Sequence, residues 1–311
     1  VSLVRVSEGV YVLEGRTNVG VVVLEGGECL VVDTGVDRDQ GRRVLRAVRD
    51  AGLRVRAVVN THSHADHIGG NRVVMERTGA TFYSSILERP LIELPLVEVV
   101  YLYGAYPPEV LRTHLVEAEG VPVDDISKLV REYPLLRVVE LPGHSVGMVG
   151  LGIGKVLFSA DAFFPEEVLA KYVIPYHLNV QEALGTLRRL SNEVLKNYDV
   201  VVPSHGRVLS RVEAQRLVEL NANTILKVRE YVLRNTGGSL PLVELLKLIL
   251  RDLNLVPQTV INHLLTTSAL KSYIAWLANE GLVELLVSGG ELYARGPGRA
   301  LESLFSGYHQ L

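Results

Sequence analysis

Five histidines and two aspartates in this chain stand at spacings that can build a two-metal hydrolytic site. The core is Thr61-His62-Ser63-His64-Ala65-Asp66-His67, an H-x-H-x-D-H motif. Downstream come His144 in Leu141-Pro142-Gly143-His144-Ser145, Asp161 in Phe158-Ser159-Ala160-Asp161-Ala162, and His205 in Val202-Pro203-Ser204-His205-Gly206. Neutral imidazole is the commonest zinc ligand, and carboxylate oxygens complete hydrolytic zinc sites. His62, His64, Asp66 and His67 lie within six residues. They cannot all bind one tetrahedral ion and leave a reacting position open, whereas a pair of metals can use them all.

These residues need elements to hold them, and each group follows a short apolar run. Val55-Arg56-Ala57-Val58-Val59-Asn60 reads as a strand leading into the histidine motif, and Gly69-Gly70 lets a helix begin close to that loop. Leu136 to Leu141 precedes His144, Lys155 to Ser159 precedes Asp161, and Tyr198 to Val202 precedes His205. Every candidate ligand is therefore expected just past the carboxyl end of a strand, where open α/β sheets place their sites. Upstream, runs at residues 9–13, 19–24 and 29–33 read as strands. A helix follows, with Val44, Leu45, Val48 and Leu53 at helical spacing and Arg42, Arg43, Arg46 and Arg49 on its wet side.

At 311 residues the chain can hold about two domains. Its net charge of −3 gives no general drive toward nucleic acid or membrane. The single cysteine, Cys29, rules out an internal disulfide framework and a cysteine-rich zinc site. The first residues carry no signal-peptide pattern, and no apolar stretch reaches the roughly 18–20 residues of a spanning helix. The expected location is cytoplasmic. Arginine outnumbers lysine 25 to 7, with two Met and one Cys, a composition that fits heat adaptation or a GC-rich genome.

Between residues 84 and 134 lies a long segment with two expected helices, the second capped by Asp124-Asp125-Ile126-Ser127. A loop this long is either functional or a packed helical insertion. From residue 211 the pattern turns helical, over 212–233, 242–253, a short helix near 260–265 and a longer one over 268–279. Two strands around Ser288-Gly289-Gly290 form a hairpin. Helices followed by a hairpin read as a winged-helix-like α+β domain over 211–311. The tail carries ten Lys/Arg against nine Asp/Glu, and its candidate recognition helix holds only Lys271. Duplex binding needs several phosphate contacts, so nucleic acid is not an expected partner. The apolar Tyr273-Ile274-Ala275-Trp276-Leu277 face suggests instead a packing surface or a homodimer contact.

The chain resembles the metallo-β-lactamase superfamily over roughly residues 8 to 210. The resemblance rests on Val32-Asp33-Thr34-Gly35, on Thr61 through Gly70, and on the three later segments in order. It implies an α/β fold, the αββα sandwich, over 1–210 with the winged-helix-like domain after it. By similarity His62, His64 and His144 would hold one metal and Asp66, His67 and His205 the second. Asp161 would bridge them, and Asp33 would support the site from behind. The ligand set is similar to that of glyoxalase II, the lactonases and lactamase-beta-like proteins with a C-terminal winged-helix-like domain. Quorum-signal lactonases carry a tyrosine where this chain has Phe164. The tail also differs from the glutathione-binding part of glyoxalase II.

The chemistry expected is a binuclear zinc hydrolase of an ester, thioester or lactone. Two Zn2+ per chain would share a bridging hydroxide that attacks the carbonyl of a small-molecule substrate. Asp66 would hold the second metal and accept a proton. Iron and manganese suit the same ligands. The alternatives are a metallo-endoribonuclease using this site and a winged-helix binding protein with a vestigial one. His177 and Tyr103 are candidate substrate contacts. His114, His263 and His309 are read as structural or surface residues.

Overall fold

A computed structural model describes residues 2–296. His309 and the end of the 211–311 unit lie outside the described residues. The first sheet orders its strands as in the chain: β1 (Val4–Ser7), β2 (Val10–Leu13), β3 (Val19–Val23), β4 (Glu28–Val32), β5 (Arg54–Val59), β6 (Thr81–Ser84) and β7 (Asp124–Asp125). Pairing is antiparallel from β1 to β4 and parallel from β4 to β7. The second sheet is β8 (Leu136–Glu140), β9 (Val149–Ile153), β10 (Val156–Ala160), β11 (Val200–Pro203) and β12 (Leu209–Ser210), with only β10 and β11 parallel.

The two sheets pack face to face because their strands alternate apolar residues on both faces. Leu30, Val32, Ala57 and Val59 of the first sheet meet Leu151, Val156, Phe158 and Val202 of the second. The intervening residues point outward to helices. Cys29, Val31 and Val58 pack under α1 (Arg38–Asp50) through Val44, Ala47 and Val48. Asp37 caps α1 by accepting from the Gln40 amide at 2.7 Å. The single turn α2 (Ala65–Ile68) leads into α3 (Asn71–Thr78), which lies beside α1. Burial of Cys29, together with Glu28, pushes its thiol up to about 12.

The 84–134 segment folds into α4 (Arg89–Glu93), α5 (Leu96–Tyr103) and α6 (Ile126–Glu132), one helix more than expected. Asp125 caps α6 by accepting from Ser127 N, as its sequence suggests. On the other side, α7 (Glu166–Tyr172), α8 (Val180–Arg189) and α9 (Arg211–Asn235) cover the second sheet. Ser210 and Glu213 form a reciprocal capping box at the start of α9. The four layers make the αββα sandwich.

Beyond α9 come β13 (Ser239–Pro241), α10 (Leu242–Asp252), α11 (Val260–Asn279), β14 (Glu284–Ser288) and β15 (Glu291–Arg295). The last three strands form an antiparallel sheet ordered β13-β15-β14. Two expected helices are one, because α11 runs unbroken from Val260 to Asn279. Its Tyr273, Ile274, Trp276 and Leu277 are at most 6% exposed and join α8 and α9 in one apolar cluster. The face that suggested a dimer contact is therefore covered within the chain. No helix among the described residues is long and apolar enough to cross a membrane.

Trp276 is the single tryptophan. Its Nε1 donates to Glu280 at 2.8 Å, and Arg229 lies over its ring at 4.7 Å. Since α8, α9 and α11 share one cluster, we expect denaturant unfolding followed by Trp276 fluorescence to coincide with that followed by far-ultraviolet circular dichroism. A separate, earlier fluorescence transition would show that the C-terminal part unfolds on its own.

Candidate metal centre

Each ligand loop starts within four residues of a strand end. β5 ends three residues before His62, β8 four before His144, β10 immediately before Asp161, and β11 two before His205. The backbone is forced at two of these exits. Asp33, just past β4, and Ala160, at the end of β10, adopt φ of +60° and +50°. Non-glycine residues hold such angles only where their surroundings over-determine them, commonly at functional sites. Gly143 has φ +120°, and a Cβ there would collide with the backbone of Ala183 on α8. Glycine is thus required beside His144.

The structure brings all seven ligand candidates together. Three overlapping groups can each hold an ion: His62, His64 and His144; His62, His67 and Asp161; and Asp66, His67 and His205. In each, the ligand atoms lie within 4.8 Å of one another. His64 Nδ1 is 3.1 Å from His62 Nε2 and 2.9 Å from His144 Nε2. Asp66 Oδ2 is 3.7 Å from His67 Nε2 and 3.5 Å from His205 Nε2. Asp161 lies between the outer triads. Its Oδ1 is 3.6 Å from His67 Nε2, while Oδ2 is 3.4 Å from His144 Nε2 and 3.3 Å from His205 Nε2.

The far side of each ring decides whether this cluster can take cations. His67 Nδ1 donates to Asp33 Oδ2 at 2.9 Å. The Thr61 hydroxyl donates to the same oxygen at 2.8 Å and accepts from His62 Nδ1 at 3.0 Å. His144 Nδ1 donates to the Tyr176 carbonyl at 2.9 Å, and His205 Nδ1 to the Arg16 carbonyl at 2.8 Å. His64 is reversed, with Nε2 facing the Glu98 carboxylate at 3.5 Å. Every far nitrogen thus has an acceptor beside it, which leaves the near nitrogen unprotonated in the neutral ring. His67 Nε2 is buried without a hydrogen-bond partner, as an atom reserved for a metal would be. The donor set of imidazoles and carboxylates without thiolate fits hydrolytic metals.

The electrostatics divide along the same line. Burial, then the neighbouring His67, His64 and His144, push His62 well below the usual histidine range. Burial and His64 do the same to His144. Burial also works against charge on His67 and His205, but the carboxylates outweigh it. Asp66, Asp161 and Asp33 hold His67 well above its usual range, and Asp161 with Asp66 raises His205 to about 9. Burial opposes charge on Asp161, yet His205 and His67 hold it well below the carboxylate range. The carboxylate side therefore calls for positive charge, which divalent cations would supply.

Three side chains around the cluster were not legible in the sequence. Glu88 is fully buried. Its Oε2 accepts from Ser63 N at 2.9 Å, and its Oε1 from Ser145 Oγ at 2.6 Å and Gly147 N at 2.7 Å. One carboxylate thereby ties the loop of His62 and His64 to the loop of His144. Glu98 faces His64, and Thr17 Oγ1 donates to Asp66 Oδ2 at 3.3 Å. Glu98 alone left a signal, as the one charge within Leu96-Val97-Glu98-Val99-Val100.

Two expected substrate contacts are misplaced. His177 is 1% exposed and packs behind His144 with ring centroids 5.7 Å apart, away from the cavity. Burial lowers it to about 4, and neither ring nitrogen has a partner. Tyr103 lies outside the cavity wall, whereas Tyr101 lines it. Two residues along a helix rotate a side chain by about 200°, so Tyr103 faces solvent. His114, read as structural or surface, lines the cavity. Phe164 also lines it and is pinned by Asn221 of α9, which accepts from Phe164 N at 2.9 Å and donates to its carbonyl at 2.8 Å.

Comparison with known proteins gives the same picture. The family model of the metallo-beta-lactamase superfamily matches residues 12–205. The hydroxyacylglutathione hydrolase of Blochmanniella pennsylvanica strain BPEN is 24% identical over 207 residues, covering 67% of this chain and 68% of that protein. A metallo-beta-lactamase family protein from Thermus thermophilus superposes with a TM-score of 0.67 at 20% identity, over 94% of this chain and 100% of its own. A beta-lactamase domain protein from Burkholderia ambifaria superposes with a TM-score of 0.66 at 18% identity, over 94% and 93%. With the family's profile running from β2 through β11 and covering every candidate ligand, this chain belongs to the metallo-beta-lactamase superfamily, a family of hydrolases.

Proposed function

We propose that this protein binds two metal ions and hydrolyses an ester, thioester or lactone. The observation that carries this reading is the preparation of the cluster: seven side chains converge, and all five imidazoles have an acceptor beside the far nitrogen. His62, His64 and His144 would hold one ion, and Asp66, His67 and His205 the other, with Asp161 between them. Zinc suits these donors, and iron or manganese would also be accepted. When bound, such ions polarise a substrate oxygen and bring the pKa of a water toward neutrality.

The chain's own residues do the rest. Asp66 lines the cavity, and its carboxylate is placed to accept a proton there while Thr17 orients it. Phe164 and Tyr176 wall the cluster and exclude water. The relative named hydroxyacylglutathione hydrolase supports acyl rather than phosphoryl chemistry. An endoribonuclease would need a cationic track for phosphates, and Arg16 and Lys171 are the only Lys or Arg side chains lining the cavity among the described residues. Burial of Tyr273, Ile274, Trp276 and Leu277 supports a structural role for the winged-helix-like part.

Metal analysis of the zinc-loaded protein should give close to two ions per chain, and Asp161→Ala should lower that number. One ion per chain, unchanged by Asp161→Ala, overturns the binuclear reading. His64→Ala should cut ester or thioester hydrolysis on the order of 10³-fold, with thermal unfolding close to that of the unaltered chain. Hydrolysis at the original rate would place the chemistry elsewhere. Glu88→Ala strands three buried donors, so it should lower stability by roughly 2–4 kcal/mol and zinc affinity by about 10–100-fold. A chelator competition showing unchanged affinity would remove Glu88 from the metal-organising frame.

A further inference from the structure

The cavity over the cluster has a volume of about 750 Å³, within the range of sites that enclose a small molecule. Away from the ligands its walls are more apolar than polar, with Lys171, Asn254, Gln258 and Asn262 among them, and the apolar side chains come from three separate parts of the chain. Helix α5 contributes Val99 and Leu102, the segment after α7 contributes Ile174, and the C-terminal part contributes Leu255, Val256 and Leu265. The apolar wall continues to the mouth. Leu115 and Val256 line the cavity yet are 61% and 68% exposed. Apolar side chains left wet and continuous with a concave apolar wall gain free energy when a ligand covers them.

The reacting end of the substrate is fixed by the cluster, so the wall recognises the remainder. A short polar acyl group would leave the accessible part of that wall, Leu102, Leu265, Leu115 and Val256, wet. A polyphosphate or nucleic-acid chain would meet two cations and a greasy wall. We propose that the substrate carries a medium-length or long apolar acyl chain, seated with its carbonyl at the cluster and its methyl end toward Leu115 and Val256. This rests on the hydrolase reading and names its substrate class. Hydrolysis would add one water across the acyl C–O or C–S bond. The acyl carbon keeps the water's oxygen as carboxylate, the alcohol or thiol leaves with one proton, and one proton is released to solvent.

Two series on the zinc-loaded full chain test this. Acetate, hexanoate and decanoate report binding by calorimetry, and the matching p-nitrophenyl esters report kcat/KM. Each buried methylene should raise carboxylate affinity, and kcat/KM with it, by about fourfold. Val256→Asp and Leu115→Asp change exposed positions that the fold does not need. Each should lower decanoate affinity by about tenfold or more while acetate affinity moves far less. Affinity and kcat/KM that are flat or falling with chain length overturn the acyl-chain proposal, even if every ester is cleaved. Affinity that climbs with chain length while no ester is cleaved supports the apolar site and instead contradicts the hydrolase reading.

Discussion

Five imidazoles can offer lone pairs to cations in one small volume only if each keeps its proton on the nitrogen turned away. Otherwise the near nitrogens would point protons at one another and at any incoming cation. The far-side acceptors are therefore the constraint on which this structure depends. Apart from the Thr61 hydroxyl beside His62, they are supplied by distant parts of the chain: the Asp33 carboxylate, the carbonyls of Arg16 and Tyr176, and the Glu98 carboxylate. The sandwich exists, in functional terms, to bring these acceptors behind the rings while the strand ends bring the rings forward.

Asp33 shows how much is concentrated at one residue. It follows β4 with a left-handed backbone, accepts from His67, and also accepts from the amide and hydroxyl of Thr61. Two ligand histidines are thereby set by one carboxylate, directly for His67 and through Thr61 for His62. Glu88 performs a parallel task between the first and second ligand loops. Both carboxylates accept hydrogen bonds in a buried site, where removing the acceptor leaves several donors unmatched.

The candidate ligands were readable as a group in the sequence because each follows its strand locally, while their division between two metals came only from the family resemblance. So were most strands of the two sheets, through their apolar runs. Glu88 was not, since a glutamate near a proline looks like a surface residue until the insertion folds back on the ligand loops, and Glu98 left only the trace of a lone charge in an apolar run. His177 and Tyr103 do not line the cavity because side-chain direction depends on packing for the first and on helical phase for the second, which sequence order does not fix. The face of α11 stayed open between a packing surface and a dimer contact for a related reason: an apolar stripe has the same pattern whether it meets another chain or its own α8 and α9. The cavity draws walls from residues as far apart as Arg16 and Thr266, so its character emerged only in three dimensions.

Anomalous diffraction at the zinc edge, from crystals of the zinc-loaded protein, tests the central claim most directly. The account predicts two peaks a few Å apart. One should be ligated by His62, His64 and His144, the other by Asp66, His67 and His205, with Asp161 reaching both. A single peak, or peaks held by other residues, would contradict it.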